Sequence, residues 1–238
     1  MTVSTLPADA APRGGAAERR AGASSIRRVL SNPGRAISAA TALLRGAWYR
    51  AYYRLRGVRF RAGRNFRAYS ALQIRGPGLV TFGDNVLVVD PARLWTHSPE
   101  ARITLGDNTM MGAADIQCQR EVSIGSGCIL ARCTIMDSDF HSTHAGRHNP
   151  AAPVRVAPVH VGDNVWIAHS AGLLPGTKIG NNSVVSFGSV CMREYPENVV
   201  LMGNPARVAA PVAGAGAPPN AANAAAEATR AGALRVAG

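Results

Sequence analysis

Met136 to His144 reads MDSDFHSTH, which places Asp137, Asp139, His141 and His144 within eight residues. An imidazole titrates close to neutrality, so it can take the proton from a hydroxyl within hydrogen-bond reach. A carboxylate accepting the other ring N–H would fix the tautomer. His141 and His144 are both candidates for such a base. Asp139 is favoured over Asp137 as the partner, although alternation in an extended segment sends both acids to one face. A histidine in a polar stretch is ordinarily a solvated surface residue, and His97, His148 and His160 read as structural or exposed.

The segment stands out because the chain around it is regular. From Val161 an aliphatic residue recurs at every sixth position: Val161, Ile167, Leu173, Ile179, Val185. Small or turn-forming residues follow each, as in VGDNVW, IAHSAG, LLPGTK and IGNNSV. The same phrase occurs upstream as FGDNVL, LGDNTM and IGSGCI, at intervals of 23 and 19 residues. A period of six fits neither a helix nor simple strand alternation. It fits a three-sided coil in which each side is a short strand, each side sends one aliphatic side chain inward, and Gly, Asn or Asp turns each corner at positive φ. Stacked coils pair in parallel ladders and form a one-dimensional solenoid.

Ile124, Leu130 and Met136 keep this frame, and it fails at HSTHAGRHNPAAPVRVAP. A loop leaving the coil after Phe140 explains the break, and loops projecting from a rigid scaffold commonly carry binding and catalytic groups.

The remaining composition bounds the reading. The chain has 238 residues, a formal charge of +12 and only 5% aromatic residues. Thirteen arginines against Asp9 and Glu18 put the excess in residues 1–64, so the basicity belongs to an N-terminal arm rather than to a nucleic-acid-binding fold. Residues 1–24 hold too little apolar surface to order themselves. Residues 25–56 place Ile37, Ala40, Leu44, Trp48 and Tyr52 at helical spacing, with Gly57 suited to a left-handed cap. This stripe is expected to pack on the main domain or on a neighbouring subunit; the competing reading is an amphipathic helix lying on anionic lipid. No apolar run approaches the roughly 20 residues of a membrane-crossing helix. The Ala/Gly/Pro-biased stretch 211–238 reads as a loose tail. Cys118, Cys128, Cys133 and Cys191 form no CxxC pair, which argues for reduced thiols and against a zinc cluster or disulfides.

Across residues 57–210, and most specifically from VHVGDNVWIAHSAGLLPGTKIGNNSVVSFGSV through GNPARV, the chain resembles the hexapeptide-repeat acyltransferases. The resemblance implies an all-β fold, a left-handed parallel β-helix solenoid, here with an N-terminal amphipathic helix and an extruded loop. It also implies acetyl-CoA as donor and, in the O-acetyltransferases of this fold, a sugar or polysaccharide hydroxyl as acceptor, attacking the thioester directly in a ternary complex. An HxxH pattern in a loop at this place carries the general base at its first histidine, so HSTH assigns the base to His141 and leaves His144 to shape the loop or touch substrate. The donor groove would involve Trp166, His169, Lys178, Phe187, Arg193 and Arg207, with a backbone N–H near residue 169 facing the thioester carbonyl. His169 and Phe187 depart from the small residues more often found there. The resemblance further implies trimers with sites between subunits, while the reduced thiols suggest a cytoplasmic protein and the basic amphipathic arm suggests work at the inner face of the membrane. The metal-dependent carbonic-anhydrase type of this fold would need a histidine where Pro175 stands, so no metal is expected. A nucleotide-sugar N-acyltransferase and a non-catalytic trimeric scaffold are the alternatives.

Overall fold

The structure, a computed structural model, describes residues 33–214; the arm 1–24 and most of the tail lie outside them. The chain divides into two units, 1–40 and 41–238, and the described part of the first consists of the opening turns of a helix, α1 (Pro33–Leu55).

Twenty-one short strands follow among the described residues, sorted into three parallel sheets that form the faces of a solenoid of about seven turns. The first face holds Phe60–Ala62, Leu79–Phe82, Arg102–Leu105, Glu121–Ile124, Val159–Val161, Lys178–Ile179 and Glu194–Tyr195. The second runs from Arg67–Ala68 through Ile129–Ala131 and Trp166–Ile167 to Val199–Met202, where Arg207–Pro211 adds the one antiparallel strand. The third holds Leu72–Arg75, Ala92–Thr96, Asp115–Cys118, Thr134–Met136, Gly172–Leu173 and Val190–Cys191. This is the arrangement expected of the β-helix. Val161, Ile167, Leu173, Ile179 and Val185 are all buried, one per side of successive coils.

The GDN phrase turns the corner between the first and second faces. Its asparagine takes positive φ at Asn85, Asn108, Asn164 and Asn182, and these side-chain amides bond to one another from coil to coil, as in Asn164 to Asn182 at 3.0 Å and Asn182 to Asn198 at 3.0 Å. The aspartate caps the coil beneath, Asp107 accepting the Asp84 N–H at 2.7 Å and Asp163 that of Ser126 at 2.6 Å. Glycine precedes because a Cβ at Gly83 or Gly125 would run into the carboxylate and backbone of the next corner. Gly127 takes the asparagine position in the coil that begins at Glu121, and the amide ladder breaks there.

α1 ends at Gly57, with φ of 69°. It buries Ala42, Gly46, Tyr49 and Tyr53, not the stripe expected from the sequence: Ile37, Leu44 and Trp48 are exposed. Two hydroxyls decide which face docks. Tyr49 accepts the Leu72 N–H at 2.9 Å, while Tyr53 accepts that of Ile74 at 2.9 Å and donates to Leu72 O at 2.7 Å. They satisfy an edge strand that would otherwise end the third sheet with open hydrogen bonds. Phe60, Phe66 and Phe82 close the same end in edge-to-face contact.

Candidate functional site

The loop departs where the strand Thr134–Met136 should turn the corner from the third face to the first, and it returns at Val159. Its neck is a two-sided ribbon: Ala157 N–H donates to Asp137 O at 2.8 Å, Asp139 N–H donates to Arg155 O at 3.1 Å, and Ser138 bridges Val156. Asp137 anchors this neck to the coil below. Its buried carboxylate accepts the backbone N–H groups of Gln119, Arg120 and Glu121 at 2.6, 2.6 and 2.7 Å. With its oxygens committed there, Asp137 is a clamp, and Asp139 is left as the acid able to orient an imidazole.

Past the neck the chain is held by short polar contacts. Phe140 sits at φ of 56° with its N–H on Ser138 Oγ at 3.0 Å. His141 N–H donates to Asp139 O at 2.7 Å, a tight turn that puts the His141 ring out into solvent. Among the described residues no hydrogen bond joins that ring to the Asp139 carboxylate. His144 is exposed too, and its Nδ1 accepts the Gly146 N–H at 3.3 Å, which leaves the proton of the neutral ring on Nε2.

The remaining sequence-chosen residues fall in three places. His169 and Phe187 form a shelf at the corner between the second and third faces, their rings parallel within 5° at 5.4 Å. The backbone N–H groups of Ala168 and Ser170 are both used in the coil ladder, whereas that of His169 takes no acceptor among the described residues. Trp166, half exposed, lines an open cavity of about 550 Å³ on the second face with Asn182, Val184 and Asn198. Arg207 begins the antiparallel strand that extends this face. Lys178 and Arg193 lie elsewhere: Lys178 faces outward from the first sheet, paired with Glu194 at 2.5 Å, and Arg193 rests over Tyr195 at 5.7 Å with Nη2 on Ala206 O at 3.4 Å. Within one chain, then, the loop and the His169 shelf occupy opposite edges of the third face.

One neighbour of the loop gave no sequence signal. The His97 ring packs on Phe140 at 4.6 Å, and its Nε2 lies 2.9 Å from Gln117 Oε1. Forty-three residues and two coils separate His97 from Phe140 in sequence, and periodicity says nothing about what an extruded loop folds back upon.

Burial is the largest influence on the four cysteines. Desolvation pushes the thiols of Cys118, Cys133 and Cys191 up to about 12, with the negative charge of Asp137 adding at Cys118. All four are free and buried. No group of side chains able to hold a metal ion occurs among the described residues.

Comparison with known proteins agrees with this architecture. Residues 158–193 match the family described as bacterial transferase hexapeptide (six repeats). The candidate acetyltransferase YJL218W of Saccharomyces cerevisiae is 40% identical over 88 residues, covering 33% of this chain and 45% of that protein. The galactoside O-acetyltransferase of Escherichia coli K12 is 35% identical over 88 residues, covering 37% and 42%. This chain thus spans about half the length of the curated relatives it matches. Among solved structures, the polysialic acid O-acetyltransferase OatWY superposes with a TM-score of 0.55 over 66% of this chain and 77% of that one, at 24% identity, a likeness of fold. The repeat at 158–193 matches that transferase family, and the coils continuous with it on both sides extend the same build along the solenoid.

Proposed function

We propose that the protein is an acetyltransferase that moves the acetyl group of acetyl-CoA to a hydroxyl of a sugar or polysaccharide precursor. The observation that carries this reading is the loop itself: one coil corner is replaced by a clamped ribbon whose outcome is a solvent-facing imidazole at His141. His141 takes the acceptor hydroxyl proton as that oxygen bonds to the thioester carbonyl carbon. The carbon–sulfur bond then breaks, and the protonated ring returns the proton to the departing thiolate. Charge developing on the carbonyl oxygen needs a preorganised donor, and the spare N–H of His169 suits that role. Asp139 would orient His141 once the acceptor is bound.

The donor residues fit an acyl-CoA unevenly. The His169–Phe187 shelf, Trp166 and Arg207 share one side of the prism, where they could hold pantetheine and phosphate. Lys178, tied to Glu194 on the first face, fits less well. Because loop and shelf lie on opposite edges of one chain, the reading calls for a homotrimer in which the His141 loop of one copy faces the shelf of the next. The outward stripe of α1, with arginines and no acid in the helix, suits peripheral contact with an anionic membrane at the cytoplasmic face. No described helix is long and apolar enough to cross a membrane.

The test is thiol release from acetyl-CoA with a panel of glycans. His141→Ala should slow it on the order of 10²–10⁴-fold, and an unchanged rate would remove His141 from the mechanism. Absence of turnover with every glycan would leave a scaffold.

A further inference from the structure

The outward side of the third face carries side chains that neither the coil nor the proposed transfer uses. Arg93 and Asp115 are paired across neighbouring strands at 2.5 Å. Gln117 Nε2 donates to the second oxygen of Asp115 at 2.8 Å. A carboxylate only accepts, so the Gln117 amide must turn its NH₂ group towards Asp115 and its Oε1 towards His97. His97 Nε2 therefore carries the proton, and Nδ1 of the neutral ring is left as a lone-pair acceptor. The four residues form one chain of hydrogen bonds whose donor and acceptor directions are fixed along its length.

Beside this line stands Trp95, in register with Gln117 on one side and Arg75 on the other. The Arg75 guanidinium lies over the indole, 5.2 Å from its centroid, and forms no ion pair among the described residues. The indole Nε1–H is buried without an acceptor among the described residues, a donor left for something else to satisfy. Two open cavities flank the strip and meet at Gln73. One, of about 280 Å³, lies between Tyr52, Arg56 and Arg75; the other, of about 560 Å³, is bounded by Arg93, Asp115 and Arg132. Of the charged groups around them, Asp115 is the one acid, and Arg93 already neutralises it.

We propose that this strip is a binding site for an acidic glycan, which rests on the reading of the protein as a glycan acetyltransferase and names its acceptor class. Sugars are held by aromatic faces together with planar polar groups of fixed direction, and Trp95, Gln117 and His97 supply both. Carboxylates on the glycan pair with Arg75, Arg56 and Arg132. A carboxylate that draws Arg75 off the indole also gives Nε1–H its missing acceptor. The site ends at Phe140, packed on His97, so a glycan lying along it arrives at the residue next to His141.

Binding is measured on the full chain by calorimetry without acetyl-CoA, using tetragalacturonate and tetrasialate as acidic probes and maltotetraose as the neutral one. At least one acidic probe should bind tenfold or more tightly than maltotetraose. Arg75→Glu should weaken it at least tenfold, and Gln117→Leu, which leaves the charge alone, several-fold; Arg50→Glu, a matched reversal on the exposed side of α1, should change it less than twofold. Equal binding of acidic and neutral probes, or equal loss from the two reversals, would overturn the site. Circular dichroism and coenzyme A affinity, unchanged in the variants, would show that the fold and donor side are intact. Glycan binding without any acetyl transfer would instead sink the enzymatic reading and leave the strip standing, whereas transfer to neutral sugars by a chain that ignores both acidic probes would sink the strip alone.

Discussion

The carboxylate of Asp137 holds the backbone N–H of Arg120 at 2.6 Å, across one full coil of the solenoid. That contact, with its neighbours at Gln119 and Glu121, fixes where the chain leaves the prism. Hydrogen bonds to a charged group contribute about 1.5–3 kcal/mol each, and removing the acceptor leaves three backbone donors to find others. Asp137→Ala should therefore destabilise the domain by roughly 3–5 kcal/mol. Thermal unfolding would read this as a fall of roughly 6–20 °C. Asp139→Asn should leave that temperature nearly unchanged and lower the acetyl-transfer rate instead.

Loop and shelf on opposite edges of the third face imply a shared site. Chains carrying His141→Ala mixed with chains carrying Phe187→Glu should recover part of the activity that each lacks alone. Phe187 is 71% exposed, so the charge is tolerated by the fold. No recovery after co-refolding would place the whole site in one chain.

The exposed stripe of α1 gives a separate test. Sedimentation with vesicles containing anionic phosphatidylglycerol should capture the full chain, and Leu44→Glu combined with Trp48→Glu should abolish capture at unchanged melting temperature. Both side chains are more than half exposed. Retained capture would relieve the helix of that role.

The thiols should be inert in the folded protein. Thiolate is the reactive form, and burial keeps Cys118, Cys133 and Cys191 protonated to about 12. Ellman's reagent at pH 8 should titrate none of the four thiols before denaturation and all four after it. Since the folded values are raised, the unfolded chain ionises first, from about pH 8.5. The stability these thiols contribute is whole below that pH and declines as pH climbs towards 12.

How much of this was legible beforehand differs by element. Val161 through Val185 announced the coil because every corner there is short and identical, so buried positions fall at equal intervals. Upstream, where Phe82, Leu105 and Ile124 are in register, the third corner absorbs extra residues such as His97 to Ala101, and the spacing drifts. The docking face of α1 was not legible: Ile37, Leu44 and Trp48 make as good an apolar stripe as Ala42, Gly46 and Tyr49. What separates the two is a pair of tyrosine hydroxyls and the strand edge they complete, a relationship between distant segments. The candidate base at His141 was visible as a break in rhythm. His97 was not, because its importance lies in a contact that the loop makes by folding back.

The corner amides carry one more implication. Asparagine side chains zip the coils up to Asn108 into one stack and those from Asn164 onward into another, and the amide ladder skips the coil between them. The skipped coil coincides with the tier that bears the loop. Carboxylates fasten that tier instead, Asp137 gripping the backbone at Gln119 to Glu121 and Asp163 taking the Ser126 N–H, so the imidazole is hung from a place held by charge rather than by amides.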